Sequence, residues 1–138
     1  QALVFLCFAP LAGIALSVGI VASLVALFAL VGLGFTGLGF AVAWGSETVS
    51  GYHAVMSVVM IPLWLLSGAL FPMEGSAAWL VWVMRCNPVT YAMVLIRMAF
   101  YQPLPVLLGD LGFLTALGAT LLWTVLVLGS SVYLVVRR

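Results

Sequence analysis

The chain has 138 residues, of which 67% are hydrophobic and only 5% are charged, and its net charge is +1. An ordinary soluble domain carries about 25% charged residues, so a water-soluble fold of this size could not hide so much apolar surface. Inside a bilayer the spanning elements must be helices or a closed barrel. The long uncharged runs lack the alternation of barrel strands, which predicts an all-α membrane protein.

The residue types narrow the function further. The chain has no lysine, which a Walker A loop needs on the phosphates, so ATP and Mg²⁺ are not expected to bind here. A net charge of +1 without a basic cluster argues against a nucleic-acid partner. Cys7, Cys86 and the lone His53 lack metal-ligand spacing, and no histidine pairs with cysteine or serine for catalysis. We therefore predict no catalytic and no metal site.

The N-terminal third of the chain is uncharged from Gln1 to Ser46. This run is roughly twice as long as one bilayer crossing requires, so it must fold back once. We predict one span over about residues 2–17 and a second over about 22–44, joined by a tight turn. The two spans are divided by a region of low helix propensity, which contains Pro10, Gly13, Ser17 and Gly19. Because Gln1 begins inside an apolar run without a leader, further spans are expected upstream.

The second span is rich in glycine. Its glycines are Gly32, Gly34, Gly37 and Gly39. Pairs such as Gly32 with Thr36, and Gly37 with Ala41, put small residues four apart on one helix face. Small residues let helices approach closely in lipid, so this face predicts helix packing. Packing within the chain is favoured over a subunit interface.

A short polar connector around Glu47 follows, and it is predicted to be a surface loop. A third span is predicted over about residues 52–70, with a kink at Pro62 and its end at Pro72. The next segment, 76–100, is long enough to cross a membrane but is interrupted near its middle by an arginine and an Asn-Pro pair.

That interruption favours a helix, a break and a second helix. Arg85 at the bilayer centre would cost at least about 2.5 kcal/mol, and Asn87 resists helical geometry because Pro88 follows it. The aromatic residues suited to an interface on either side of the break are Trp79, Trp82, Tyr91 and Tyr101. We therefore predict a re-entrant helical hairpin over about residues 72–101 rather than a full crossing.

A last span is predicted over about residues 111–136, with Asp110 capping its start. It ends in two arginines, which favours a cytoplasmic C-terminus. Counting back places the Glu47 loop inside, the hairpin outside, and the start of the chain inside or within the inner leaflet. The opposite topology stays open.

The predicted topology puts two arginines, Arg85 and Arg97, on the outer side, although basic residues near membrane spans are usually found on the cytoplasmic side. A hairpin that re-enters the membrane would accommodate them if they pair with Glu74 or with backbone carbonyls in a polar pocket.

Two motifs at a fixed distance resemble a known pattern. The third span ends in Leu66-Ser67-Gly68-Ala69-Leu70-Phe71-Pro72, and after a Trp-bearing helix come Asn87-Pro88-Val89-Thr90-Tyr91 and, six residues later, Arg97. With the Glu-containing loop before them, these residues resemble the C-terminal half of the ABC type-2 permease family. The resemblance covers nearly the whole chain.

That resemblance implies six spans per permease, an external hairpin between the fifth and sixth, and two permeases working with two cytosolic ATPase subunits. The spans here would be the third to the sixth, and the Glu47 loop would lie near the ATPase. The implied partners are an ABC ATPase that binds ATP and Mg²⁺, a second permease copy or homologue, and the lipid bilayer.

The residues expected to build the hairpin or a gate come partly from the physical properties of the segment and partly from the resemblance. They are Ser67, Gly68, Pro72, Glu74, Arg85, Asn87, Pro88, Tyr91 and Arg97. A role in building the hairpin is preferred to contact with cargo.

We therefore expect a permease subunit of an ATP-driven exporter in the inner (plasma) membrane. Its cargo is expected to be a hydrophobic or drug-like small molecule, because the spans carry no series of polar or charged groups that could line a pore for a polar cargo. Export of polysaccharide, haem or ions by the same family is an alternative. A non-transporting membrane scaffold that docks through the glycine face is another, and a membrane-embedded enzyme is the least favoured.

Overall fold

The computed structural model describes residues 1–69, 73 and 75–137. Its elements are α1 (Ala2–Leu6), a 3₁₀ helix (Ala9–Ala12), α2 (Val18–Gly45), α3 (Val49–Leu65), α4 (Ala78–Cys86), α5 (Pro88–Tyr101), α6 (Leu104–Leu107) and α7 (Leu111–Val136). No strand occurs within these residues. The predicted all-α class is therefore confirmed.

Residues 2–17 do not form the single long helix that the sequence predicted. They form the five-residue α1, the 3₁₀ helix and a non-helical stretch over residues 14–17. Pro10 lies in the first turn of the 3₁₀ helix, where it removes a backbone donor. Gly13 then ends this helix in the left-handed region, with φ of 78°. The apolar run is long enough for a span, but these two residues interrupt its helical hydrogen bonding.

The two long helices, α2 and α7, are long and apolar enough to cross a membrane. α2 starts earlier than predicted, because the hydroxyl of Ser17 accepts a hydrogen bond from the Ile20 N–H (3.3 Å) and caps the helix. The Asp110 carboxylate accepts hydrogen bonds from the N–H groups of Gly112 (2.7 Å) and Phe113 (3.1 Å). The predicted cap of the last helix is therefore confirmed.

The third predicted span is shorter than expected. α3 has 17 residues and ends at Leu65, so it is about 25 Å long against about 30 Å of hydrocarbon core. α4 and α5 meet at an angle of 84°, which is the predicted helix, break and helix. Against the four predicted spans, the described residues contain two helices of crossing length, or three if the bent pair is one span.

α2 and α7 pack side by side at two glycines of α2. A Cβ atom added to Gly34 would lie 2.9 Å from Thr124 Oγ1, and one added to Gly37 would lie 2.9 Å from Leu128 Cδ2. Ser131 Oγ also donates a 2.8 Å hydrogen bond to the Gly37 carbonyl. Gly34 contacts Thr124, and Gly37, further along α2, contacts Leu128, further along α7. The two helices therefore run parallel.

The contact face differs from the predicted one. Gly34 and Gly37, three residues apart, are buried against α7. Gly32 would have no atom within 4 Å of an added Cβ, and the hydroxyl of Thr36 bonds to the Gly32 carbonyl of its own helix (2.8 Å). Gly39 lies near α3, where an added Cβ would be 3.4 Å from a tyrosine hydroxyl. The predicted Gly32–Thr36 pair is therefore not the face that packs on α7, whereas Gly37 of the second predicted pair does pack there.

The buried centre lies where α5 meets the first halves of α2 and α7. Its buried members are Leu6, Leu24, Leu27, Leu95, Ala99, Leu107, Phe113 and Ala116. Leu24, Leu95 and Leu107 have no exposed surface. This cluster of closely packed apolar side chains holds α5 against the two long helices.

The charged turns and the hairpin lie at opposite ends of the bundle. Glu47 follows the end of α2 and Arg137 follows the end of α7, so the parallel helices bring both to one end. The buried cluster formed by α5 and the first halves of α2 and α7 lies at the other end. Leu6 belongs to that cluster, so α1 is at the hairpin end and not beside the Glu47 loop, where the sequence predicted the start of the chain.

The glycine packing predicts opposite effects for two otherwise identical substitutions. Gly34→Ala forces a methyl group against the Trp123 ring and the Thr124 hydroxyl, and is expected to lower the free energy of unfolding by about 1–3 kcal/mol. Gly32→Ala meets open space and is expected to be neutral or to stabilise by up to about 1 kcal/mol. Thermal unfolding of the two purified proteins in detergent measures the difference. Equal midpoints would contradict the packing described for α2 and α7.

Candidate functional site

The end of α3 is shaped by a proline and a glycine. Pro62, inside the helix, has no N–H and so removes one helical hydrogen bond. Leu66 N–H donates to the Pro62 carbonyl (2.9 Å), while Ser67 donates both its N–H (3.2 Å) and its hydroxyl (2.6 Å) to the Trp64 carbonyl. Gly68 then turns the chain away with φ of 83°, a conformation that glycine adopts without strain.

The side chain of Asn87 joins the end of α3 to the start of α5. Its Oδ1 accepts a hydrogen bond from the Val89 N–H (2.9 Å) and caps α5. Its Nδ2 donates to the Leu63 carbonyl in the last turn of α3 (2.6 Å). Thr90 adds a longer bond from its hydroxyl to the Leu66 carbonyl (3.4 Å). Asn87 is 4% exposed, so one buried amide satisfies two helix ends.

The bend between α4 and α5 is held by a second set of contacts. Pro88 occupies the first position of α5, where a missing N–H costs nothing. The Tyr91 hydroxyl donates a 2.7 Å hydrogen bond to the Arg85 carbonyl, which lies in the last turn of α4. This bond satisfies a carbonyl that α4 itself leaves without a helical donor.

A cavity of about 280 Å³ lies between the end of α3 and α5. It is lined by Ser67, Gly68, Ala69, Met73, Thr90, Met93, Val94 and Arg97. The Ser67 and Thr90 hydroxyls are buried in its wall, with 1% and 2% of these residues exposed, and the Arg97 side chain is exposed. The cavity therefore combines hydroxyl groups, an apolar wall and one guanidinium group.

The structure gathers most of the residues singled out in the sequence. Those placed around the α3–α5 junction are Ser67, Gly68, Asn87, Pro88, Tyr91 and Arg97. Arg85 lies apart, with its exposed side chain at the end of α4. Pro72 and Glu74 lie outside the described residues, and so does the predicted pairing with Glu74. Neither Arg85 nor Arg97 forms a side-chain hydrogen bond or ion pair with another described residue, so the predicted pairing with backbone carbonyls is absent there.

The sequence alone did not identify three groups that form hydrogen bonds between helices. Thr90 stands within the recognised motif, and its position in the first turn of α5 is a signal that it lies near the junction. The Leu63 carbonyl gives no sequence signal, because any residue supplies the same atom. Ser131 is a polar residue in the second half of the apolar helix α7, and a hydroxyl in such a helix is a signal of a contact to another helix.

The predicted ATPase-facing turn forms a separate site at the opposite end. Glu47 is exposed there, beside a cavity of about 310 Å³. The Thr48 hydroxyl accepts a hydrogen bond from the Gly51 N–H (3.0 Å) and caps α3. The turn thus carries an accessible carboxylate on a fixed helix start.

Groups that bind metals are dispersed. No cluster of three or more His, Cys, Asp or Glu side chains occurs within the part of the chain that the structure describes. Cys7 and Cys86 are free and exposed. His53 packs its ring edge-on against Tyr52, with ring centroids 5.4 Å apart.

The double role of Asn87 predicts that aspartate will not replace it. Asn87→Asp keeps an oxygen for the Val89 N–H but cannot donate to the Leu63 carbonyl, which is left without its partner. We expect Asn87→Asp and Asn87→Ala each to lower the free energy of unfolding by about 2 kcal/mol or more. Thermal unfolding and hydrogen exchange at the end of α3 measure this. If Asn87 only capped α5, Asn87→Asp would behave like the wild type.

Comparison with known families identifies the family of the chain. The model of the family described as ABC-2 type transporter matches residues 1–101, which include the hairpin and end where α5 ends. Searches of curated proteins and of solved structures gave no significant match. Membership of this family implies an ABC ATPase partner and a membrane setting. The chain therefore belongs to the ABC-2 type transporter family, as a membrane-embedded transport permease.

Proposed function

We propose that this permease belongs to an ATP-driven exporter that moves a hydrophobic or drug-like small molecule across the cytoplasmic membrane. The observation that carries the proposal is a groove of about 330 Å³ between the second halves of α2 and α7. It is lined by Thr36, Gly37, Phe40, Leu128, Ser131, Val132, Val135 and Val136. A concave apolar site of this size suits a small apolar ligand.

The polar groups beside the groove are already paired. The Ser131 hydroxyl has one proton to donate and lies within hydrogen-bond distance of two carbonyls, those of Gly37 (2.8 Å) and Val127 (2.9 Å). The Thr36 hydroxyl donates to the Gly32 carbonyl (2.8 Å). Neither α2 nor α7 contains a charged residue. A polar or charged cargo would find few partners on these helices, which supports an apolar cargo over a polysaccharide or an ion.

In this proposal the energy comes from ATP hydrolysis, with Mg²⁺, on a separate ABC ATPase. The Glu47 turn faces that ATPase, the permease pairs with a second copy or a homologue, and the hairpin forms the outer gate. ATP binding favours one of two arrangements of the helices, so transport follows from a shift between two states.

The orientation proposed is a cytoplasmic C-terminus in the inner membrane. Arg137 lies at the same end of the bundle as Glu47, and its guanidinium stacks over the Tyr133 ring at 4.9 Å from the centroid. Basic residues next to a span favour the cytoplasmic side. The exposed Trp79 and Trp82 of α4 then lie at the outer interface.

The orientation predicts which cysteine a membrane-impermeant maleimide reaches. In a Cys7→Ser background, the exposed Cys86 on the hairpin should be labelled in intact cells. In the matched variant Cys7→Ser, Cys86→Ser, Glu47→Cys, labelling should require permeabilised cells. The reverse pattern would place the hairpin in the cytosol and contradict the proposed topology.

The cargo proposal predicts that filling the groove blocks transport. Inside-out vesicles holding the permease and its ATPase should accumulate a hydrophobic dye when ATP is added. Val132→Trp, in the groove, should lower this uptake several-fold, while Leu126→Trp, equally exposed on another face of α7, should leave it near the wild-type rate. Absence of ATP-dependent uptake by the wild type would overturn the proposal in favour of a scaffold role.

A further inference from the structure

The cavity between α3 and α5 is chemically unlike the groove between α2 and α7. Arg97 is the charged residue of its lining within the described chain. No ion pair or hydrogen bond ties the Arg97 side chain to another described residue. Its guanidinium is exposed and lines the cavity, so it is accessible to an anion bound there.

The local field around the cavity also favours an anion. Thr90, at one end of the cavity, lies in the first turn of α5, where the positive end of the helix dipole acts. The end of α3 would oppose an anion through its carbonyl groups. Those of Leu63 and Leu66 each already accept one hydrogen bond, from Asn87 and Thr90, which weakens this opposition.

The remaining wall is suited to hydrocarbon. Met93 and Val94 of α5 and Ala69 after α3 supply its apolar part, and methionine adapts its shape to different chains. A volume of about 280 Å³ equals that of about nine water molecules in the liquid. This space fits a charged headgroup with the first few methylene groups, but not a whole lipid.

We propose that this cavity binds the anionic headgroup of an amphiphile, a carboxylate or a phosphate. Arg97 pairs with the anion, and the Thr90 hydroxyl, whose bond to Leu66 is long at 3.4 Å, turns to donate to it. Met93 and Val94 contact the adjoining methylene groups, and the rest of the chain extends into the bilayer. This site is separate from the α2–α7 groove, and binding needs neither ATP nor transport.

The test measures equilibrium binding of radiolabelled oleate to the purified full-length permease in neutral detergent, without nucleotide. Arg97→Gln should weaken binding about tenfold or more, because a hydrogen bond to a charged group is lost. Arg97→Lys should stay within about threefold of the wild type, since it keeps the charge. Oleyl alcohol, which lacks the charge, should bind equally to the wild type and to Arg97→Gln.

Two further variants keep the result interpretable. Arg85→Gln removes the same charge from the same hairpin outside the cavity, and it should leave oleate binding unchanged. Ala69→Phe fills the cavity mouth while leaving Arg97 in place, and it should weaken binding as Arg97→Gln does. Equal losses in Arg85→Gln and Arg97→Gln, or no loss in Arg97→Gln, would overturn the proposal.

The source of the headgroup is decided by a second probe. Phosphatidic acid in nanodiscs replaces oleate, and the same variants are measured. Binding of phosphatidic acid that depends on Arg97 identifies a bilayer lipid as the ligand. Dependence on Arg97 for oleate alone identifies a single-chain amphiphile, and both results support the anionic site.

Discussion

One buried amide, that of Asn87, determines how the second half of this protein is arranged. A helix end that is buried away from water needs a partner from the protein for each terminal carbonyl or N–H, and Asn87 is 4% exposed. Asn87 supplies both kinds of partner, an acceptor for the start of α5 and a donor for the end of α3. The early end of α3 and the 84° bend between α4 and α5 meet at this side chain. The last turn of α3 and the Asn87-Pro88 pair, 24 residues apart in the sequence, therefore meet in space.

Local signals made parts of this structure predictable. Asp110 and the Asn87-Pro88 pair mark helix starts because a cap acts on N–H groups two or three residues away. Residues 2–17 are not one continuous helix, because hydrophobicity measures the length of an apolar run and not its backbone geometry, which Pro10 and Gly13 decide here. The sequence showed that glycines would pack, but which of them do so depends on where α7 lies.

The candidate site was predictable from its motifs but not from its contacts. Asn87 and Tyr91 stand out by residue type, whereas the acceptors they find are backbone carbonyls that every residue carries. The hydrogen bonds between α3 and α5 join positions 24 residues apart. Such pairing depends on the tertiary fold, and no spacing rule within one helix predicts it. The cavity beside Arg97 is formed at the same junction, so the residues that line it could not be predicted from the sequence either.

The bond between Asn87 and α3 has a mechanical consequence. α3 starts at the Glu47 turn, which we propose faces the ATPase, and its last turn is tied to α5. A helix about 25 Å long that pivots by about 10° at one end displaces its other end by about 4 Å. If α3 pivots as a rigid body about the Glu47 turn, it is a lever arm, and the Asn87–Leu63 bond couples the start of α5 to its tip. In the proposed orientation, a push at that turn would then reach the outer end of the bundle through this one bond.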